Sequence, residues 1–205
     1  MTEYLTINGR DVAFESGRTI LEVAFENHIE IPTLCYLKDT TPTGACRICV
    51  VEVEGSSTLV PSCATPATNG MVVETESERV VTARKSILEL LLSSGNHNCA
   101  IAGSNMDDWT SLQLKTIEYD SSQDLCPAWG ACKLQSLAYK YQVKTDMYTH
   151  TEPHYPMEIM NPLIVRDFSR CILCGRCVQA CNEVQVNRAI SFGYRGVTTK
   201  IVATG

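Results

Sequence analysis

The chain has 205 residues, of which 44% are hydrophobic and 20% are charged, and its formal net charge is −6 at pH 7. This length allows one large domain or two to three small ones. The charge is unevenly placed, because residues 161–205 hold six of the 17 Lys and Arg but only two of the 23 Asp and Glu. An acidic body argues against nucleic acid as a partner, and no apolar stretch approaches the length of a membrane span.

Cysteine is the unusual component, with eleven residues in the chain. The N-terminal residues show no basic segment followed by an apolar run, so the sequence predicts no signal peptide and a cytoplasmic location. In a reducing compartment, cysteines more often bind metals than form disulfides. We therefore expect metal ligation, with a disulfide-rich secreted protein as the alternative.

A hairpin is the first predicted element, because the Asn8-Gly9 turn separates two strand-like runs. A helix ending near Asn27 should follow, since Thr19 and Glu22 form a capping box. The β-rich segments among the first eighty residues predict short strands at 2–7, 10–14, 50–53, around 59 and 71–75.

Four cysteines lie between the predicted helix and the last of these strands: Cys35, Cys46, Cys49 and Cys63. The loop from Thr40 to Gly44 holds small and turn-forming residues, which let backbone N–H groups fold inward toward a buried anion. A cluster with four thiolate ligands is such an anion, so we interpret this group as a 2Fe–2S site. A structural zinc site is the alternative, but zinc sites usually show two close cysteine pairs, and here only Cys46 and Cys49 form one.

The segments around these cysteines resemble the ferredoxin-like N-terminal region of the large iron–sulfur subunit of respiratory NADH dehydrogenase. That region is shared with iron-only hydrogenases, NAD-dependent formate dehydrogenases and the small diaphorase iron–sulfur subunit of NAD-reducing hydrogenases. The matching segments are Ile31–Tyr36, Gly44–Val53 and Pro61–Pro66. The resemblance implies an α+β fold, in which a β-grasp 2Fe–2S ferredoxin domain precedes small helical 4Fe–4S-binding and bacterial-ferredoxin-like domains.

A second capping box at Thr75 and Glu78 predicts a helix that ends near Gly95. A further set of candidate ligands comes next: His97, Cys99, Cys126 and Cys132. In the resembled family a histidine and three cysteines bind a 4Fe–4S cluster, and the resemblance implies that role for this set. The following helix should bury an apolar face, formed by Leu134, Leu137, Ala138 and Tyr141.

This set departs from the family pattern in two ways. His97 lies two positions before Cys99, whereas the family's histidine lies four before its first cysteine. Residues 100–125 also separate Cys99 from Cys126, and we interpret this polar stretch as a surface insertion. The alternatives are that His97 is an exposed loop residue and that the three cysteines are unrelated buried thiols.

Four cysteines near the C-terminus follow the spacing of bacterial ferredoxins: Cys171, Cys174, Cys177 and Cys181. This spacing is a strong signal for a 4Fe–4S cluster. Gly175 allows the backbone to pass close to the cluster, and Arg170 and Arg176 place cations near its negative charge.

The role of Cys181 is open at this stage. In two-cluster ferredoxins the fourth cysteine of such a run ligates the other cluster, but no second run follows in this sequence, and Asn182 replaces the usual proline. Ligand counting favours Cys181 as a ligand of its own cluster, since four cysteines, three with His97, and four then use all eleven. The alternative is a three-cysteine site with an outside ligand.

The sequence therefore predicts one 2Fe–2S and two 4Fe–4S clusters in three domains. Residues 1–78 form the 2Fe–2S β-grasp domain, 79–145 the His/Cys3 4Fe–4S domain with the insertion 100–125, and 146–205 the ferredoxin-like 4Fe–4S domain. The three prolines in residues 146–162 predict a linker or extended crossing there.

Three clusters without substrate machinery indicate an electron-transfer subunit of a multisubunit oxidoreductase that is not catalytic alone. No Gly-x-Gly-x-x-Gly follows a strand, and no cysteines remain for a hydrogen-activating centre. The resemblance implies a flavin- and NAD(P)-binding diaphorase subunit as one partner. A second redox subunit would be a hydrogenase, a formate dehydrogenase or a ferredoxin-linked module. The alternatives are an iron–sulfur sensor or structural subunit, and an enzyme complete in itself.

Overall fold

The computed structural model describes residues 2–94, 131–143, 147–148, 155, 158–161 and 163–203. The strands are β1 Thr2–Ile7, β2 Arg10–Glu15, β3 Val50–Val53, β4 Val60–Pro61, β5 Val72–Glu74, β6 Glu158–Asn161, β7 Ile164–Arg166, β8 Ile190–Gly193 and β9 Lys200–Ala203. The helices are α1 Ile20–Glu26, α2 Glu78–Ser93, α3 Lys133–Lys140 and α4 Arg176–Gln179, which continues into the π-helical turn Ala180–Val184. The fold is α+β, as predicted.

The chain divides into two compact units. One comprises the described residues within Met1–Ile87, Cys174–Ser191 and Ala203–Gly205, and the other those within Leu88–Leu173 and Phe192–Val202. The three-domain division drawn from the sequence stays a prediction.

The first unit is built on a mixed sheet with the strand order β2-β1-β5-β3-β4. Its first hairpin turns at Asn8 and Gly9, both with positive φ (52° and 75°), as the predicted turn requires. β1 pairs with β2 in antiparallel fashion and with β5 in parallel, while β3 is antiparallel to both β4 and β5. This is the β-grasp arrangement that the resemblance implied.

Helix α1 packs its apolar side on this sheet. The capping box predicted at its start is present, since the Thr19 hydroxyl accepts from the Glu22 N–H at 3.3 Å and the Glu22 carboxylate accepts from the Thr19 N–H at 2.8 Å. Alternate strand residues and one helix face form the core: Leu5, Ile7, Val12, Phe14, Ile20, Val23, Val51 and Val73. Two of the candidate ligands, Cys49 and Cys63, belong to the same core.

The capping box predicted at Thr75 is wrong. Thr75 instead pairs with Asn8, whose side-chain amide accepts from the Thr75 N–H and donates to its hydroxyl, both at 2.8 Å. The cap of α2 is Ser77, whose hydroxyl accepts from the Val80 N–H at 3.3 Å. The helix therefore begins at Glu78, because a partly buried tertiary contact takes the hydroxyl that local spacing had assigned to capping.

In the second unit, α3 buries the predicted apolar face: Leu134, Leu137, Ala138 and Tyr141 are all buried. Strand β6 falls in the segment predicted as an extended crossing and pairs with β7. Among the described residues, no helix is long and apolar enough to cross a membrane.

Candidate metal centres

The first two cysteines of the N-terminal group bind each other's backbone. The Cys35 N–H donates to the Cys46 sulfur at 3.4 Å, and the Cys46 N–H donates to the Cys35 sulfur at 3.5 Å. These reciprocal contacts close the loop between the two residues and bring their sulfur atoms to one end of it. The loop thus forms a preorganised pair of thiol ligands.

The other two cysteines form a second pair. The Cys49 and Cys63 sulfurs lie 3.3 Å apart, and both side chains are 1% exposed. Ser62 fixes the pair, because its N–H and its hydroxyl both donate to the Cys49 carbonyl, at 3.1 and 2.7 Å. The backbone on either side of this sulfur pair is therefore held rigidly.

Helix α1 supports the turn that carries Cys63. The N–H groups of Ile20 and Leu21, in the first turn of the helix, donate to the carbonyls of Thr65 and Ser62 at 3.0 and 3.1 Å. First-turn N–H groups have no partner within their own helix, so these bonds satisfy them and anchor the cysteine turn together.

Three residues with positive φ shape the loop around the cysteines: Asp39 at 61°, Gly44 at 59° and Arg47 at 59°. The loop turns inward at these positions. The Thr43 side chain and the Ala45 backbone help to lower the pKa of Cys35, and the Ile48 backbone acts in the same direction on the pKa of Cys46. Polar groups of the loop therefore favour negative charge on these sulfurs.

Within each pair of cysteines, one thiol has a lowered pKa and the other has a raised pKa. Hydrogen bonding from Cys46 lowers the pKa of Cys35 to about 5, and hydrogen bonding from Cys63 lowers the pKa of Cys49 to about 6. The same bonds, together with burial, raise the pKa values of Cys46 and Cys63. One thiol of each pair is thus acidified by its neighbour, and the thiolate is the form that ligates metal.

Two sulfur pairs bear on the choice between the two kinds of metal site. In the described parts of the chain, no three His, Cys, Asp or Glu side chains converge as the ligands of one metal ion would. The four sulfurs come instead as two pairs, Cys35 with Cys46 and Cys49 with Cys63. A 2Fe–2S cluster spreads four thiolates over two irons, and two pairs of sulfurs suit that arrangement.

A buried arginine, Arg84, contacts the backbone next to one of these cysteines. The side chain of Arg84, on α2, has no exposed surface. Its guanidinium donates to the carbonyls of Ile48 and Val50 at 3.0 and 2.8 Å and pairs with Glu76 at 2.8 Å. Because Ile48 and Val50 flank Cys49, the positive charge lies against the backbone of a candidate ligand.

Sequence reasoning missed Arg84. A signal was present, because Arg84 follows Val80 by four positions and precedes Leu88 by four, which places it on the buried stripe of α2. Both apolar residues are fully buried. A charged residue on such a stripe predicts a specific partner in the core.

The C-terminal cysteines are placed by one short helical segment. Gly175, with φ 76°, starts α4, which contains Cys177, and Cys181 follows in the π-helical turn. Cys177 and Cys181 thus lie four positions apart on one continuous helical segment whose winding changes between them. The Cys181 sulfur also contacts the Asn187 side chain and accepts from the Ala189 N–H at 3.1 Å.

The other members of this motif are placed separately. Cys174 directly precedes Gly175 and belongs to the first unit, whereas Cys171 belongs to the second. The Cys171 sulfur accepts from the Leu173 N–H at 3.4 Å. No disulfide joins the nine cysteines among the described residues.

The remaining candidate site is described only at its last cysteine. Cys132 is half-buried and precedes α3, where its carbonyl accepts from the Ser136 N–H at 3.0 Å. The other three candidates, His97, Cys99 and Cys126, lie outside the described residues.

The fold and the paired thiols define an iron–sulfur protein with a ferredoxin-like N-terminal domain. The family model for the 2Fe-2S iron-sulfur cluster binding domain matches residues 4–78, which include all four N-terminal cysteines. The model for the 4Fe-4S binding domain matches residues 164–181, which include all four C-terminal cysteines. The chain thus carries two iron–sulfur modules of different type.

Whole-chain comparisons extend this result. The chain is 37% identical over 202 residues to the NADP-reducing hydrogenase subunit HndD of Solidesulfovibrio fructosivorans, with 96% of this chain and 30% of that one covered. It is 31% identical over 202 residues to the NAD-reducing hydrogenase HoxS subunit gamma of Cupriavidus necator, with 98% and 75% covered. The chain belongs to the iron–sulfur subunit family represented by HoxS gamma, although it spans less than a third of HndD.

A solved structure agrees with this assignment. A chain of the NAD+-reducing [NiFe]-hydrogenase in the H2-reduced state is 31% identical to this one, with a TM-score of 0.80. The match covers 98% of this chain and 75% of the solved one. The likeness therefore extends beyond the ferredoxin-like domain to nearly the full length of the sequence.

Proposed function

We propose that this protein is an electron-transfer subunit that relays single electrons through iron–sulfur clusters within an NAD(P)-linked oxidoreductase. The observation that carries the proposal is the presence of two iron–sulfur modules in one chain. Bound clusters accept and release electrons one at a time. The contribution of the protein is to hold the ligands, exclude water and set the local charge.

The proposed ligands of the 2Fe–2S cluster are Cys35, Cys46, Cys49 and Cys63, supported by their paired sulfurs and their donor-rich loop. The proposed ligands of one 4Fe–4S cluster are Cys171, Cys174, Cys177 and Cys181, supported by the family match over this run. A second 4Fe–4S cluster is proposed on His97, Cys99, Cys126 and Cys132, supported by the resemblance alone. This gives one 2Fe–2S and two 4Fe–4S clusters per chain.

The proposed partners are a flavin- and NAD(P)-binding diaphorase subunit and a second redox subunit. Two relatives support this choice, because their names place them in NADP-reducing and NAD-reducing hydrogenases. Of the candidate second subunits, a hydrogenase is therefore favoured over a formate dehydrogenase or a ferredoxin-linked module. A flavin takes two electrons from NAD(P)H, and a chain of one-electron centres would carry them onward singly.

The relay is tested with the protein prepared anaerobically, alone and together with a co-expressed NADH-oxidising flavoprotein. We expect dithionite to reduce the clusters in both samples, and NADH to reduce them only when the flavoprotein is present. Low-temperature electron paramagnetic resonance measures the reduction. Clusters that dithionite reduces but NADH with the flavoprotein leaves oxidised would contradict the relay and favour a sensor or structural subunit.

The matched control is Cys49→Ser, which removes one proposed ligand of the 2Fe–2S cluster from a buried position. With flavoprotein and NADH present, this variant should lose the spectrum of that cluster. Dithionite applied to the same variant should still reduce the remaining clusters, which separates loss of one centre from loss of the fold.

A further inference from the structure

The loop of the N-terminal site is bound at one residue by two side chains from the C-terminal motif. Thr41 lies between Cys35 and Cys46, and its N–H donates to the Glu183 carboxylate at 2.7 Å. Its carbonyl accepts from the Gln179 side-chain amide at 2.5 Å. Both backbone hydrogen-bonding groups of this loop residue are therefore taken by residues about 140 positions away in the chain.

The two partners stand beside the C-terminal cysteines. Gln179 lies midway between Cys177 and Cys181, and Glu183 follows Cys181 by two positions. All of these residues belong to the first compact unit. The contact therefore joins a loop that carries one candidate ligand set to a helical segment that carries part of another.

The Gln179 contact is the more protected of the two. The Gln179 side chain is 6% exposed, whereas Glu183 and Thr41 are exposed. Only the nitrogen end of an amide can donate to a carbonyl, so the bond to Thr41 fixes the orientation of the Gln179 side chain. Its oxygen end is buried and has no hydrogen-bond partner among the described residues.

This orientation carries a cost that the contact must offset. A buried polar atom without a partner is unfavourable, and a shorter or apolar side chain at position 179 would avoid it. The retained amide serves the donor that reaches Thr41. Packing of α4 alone would not require a donor at this point.

We infer that Gln179 is a positioning residue for electron transfer, which holds the loop of the N-terminal cluster against the helical segment of the C-terminal motif. The inference rests on the proposed relay. In the step concerned, one cluster loses one electron and the other gains it, with no bond made or broken. The rate of such a step falls steeply with distance, so a loop held at constant separation gives a constant rate.

The test is Gln179→Glu, which keeps the size of the side chain and removes its donor. A carboxylate facing the Thr41 carbonyl would repel it, and the loop should move away. The matched control is Gln185→Glu, which makes the same charge change at an exposed position of the same segment. Both variants are compared with the wild type in the cluster-loaded, full-length protein.

Two measurements report on the loop. In Gln179→Glu, amide hydrogen exchange of the peptide containing Thr41 should become about tenfold faster, the change expected on losing a buried hydrogen bond. The magnetic interaction between the two reduced clusters, measured by pulsed electron paramagnetic resonance, should become weaker on average. The distribution of its values should become broader. Gln185→Glu should leave both measurements at their wild-type values.

Wild-type exchange and wild-type magnetic interaction in Gln179→Glu would overturn the inference. If that variant fails to load clusters, Gln179→Met decides the matter, because it removes the donor to the Thr41 carbonyl without adding a charge. Faster exchange in the peptide containing Thr41 in Gln179→Met would support the positioning role, and unchanged exchange would overturn it. A wild-type protein whose clusters both reduce but exchange no electrons would defeat the proposed relay, and this inference with it, whatever the loop exchange shows.

Discussion

The Nε of Arg84 donates to the carbonyl oxygen of Ile48 at 3.0 Å, from a side chain with no exposed surface. The same guanidinium reaches the carbonyl of Val50 at 2.8 Å. The planar guanidinium can donate to both carbonyls at once, which the ammonium group of a lysine does less well. Arg84 therefore fixes the backbone on both sides of Cys49, and two predictions concern it.

Replacement of Arg84 by Met should lower the free energy of unfolding by about 2–4 kcal/mol, because two buried carbonyls lose their donor. Urea denaturation of anaerobically prepared protein measures the loss. The control is Arg79→Met on the same helix, whose partner Glu52 lies at 3.2 Å in an exposed pair and should contribute little. Equal losses in the two variants would show that Arg84 is not a core contact.

Arg84→Met should also make the potential of the 2Fe–2S cluster more negative. Reduction adds an electron to an anionic centre, and a nearby buried cation stabilises the added charge. A redox titration followed by electron paramagnetic resonance measures the midpoint. Arg84→Lys keeps the charge, so its midpoint potential should lie between those of Arg84→Met and the wild type. Identical midpoint potentials in all three proteins would refute the electrostatic role.

Iron content tests the proposed number of clusters. We expect about ten irons per chain, two from the N-terminal site and four from each of the others. Iron and acid-labile sulfide assays on anaerobically prepared protein give the value. A stable content near six irons would remove one 4Fe–4S cluster from the assignment, and a content near two would remove both. Zinc in place of iron would refute the metal assignment as a whole.

Cys46→Ser should abolish the 2Fe–2S spectrum and leave the others. A serine oxygen is a harder ligand and a poorer one for iron, and the variant also loses the sulfur that accepts from the Cys35 N–H. Electron paramagnetic resonance of the reduced variant shows which spectrum is missing. Survival of every spectrum at wild-type intensity would be incompatible with the assignment.

His97 is predicted to complete the cluster on Cys99, Cys126 and Cys132. Neutral imidazole adds less negative charge than thiolate and raises the potential in Rieske centres, so His97→Cys should lower the potential of this cluster. His97→Ala should leave a labile cluster. An intact cluster at the wild-type potential in both variants would make His97 a bystander and place the fourth ligand elsewhere.

Local patterns were sufficient for the elements whose causes are local. The Asn8-Gly9 turn and the Thr19 capping box depend on residues within four positions of one another, and both are present as predicted. The capping box expected at Thr75 failed because Asn8 takes its hydroxyl from 67 positions away. Spacing along the chain carries no information about such a partner.

In the candidate site, too, local features were predicted from the sequence and features that depend on distant residues were not. The spacing of the cysteines identified all four N-terminal ligand candidates, but it could not show that their sulfurs form two pairs. Arg84 and Gln179 were missed because their partners, Ile48 and Thr41, are distant in sequence. A buried charge or amide becomes meaningful only when the group it contacts is known.

The parallel pairing of β1 with β5 determines when the sheet can form during synthesis of the chain. Thr6 and Ile7 pair with Val72 and Val73, so the sheet cannot close on the ribosome until the fifth strand has emerged. All four cysteines of the first site lie between these strands and emerge earlier. During synthesis the complete set of four thiols is therefore outside the ribosome before the strand that closes the sheet over the core.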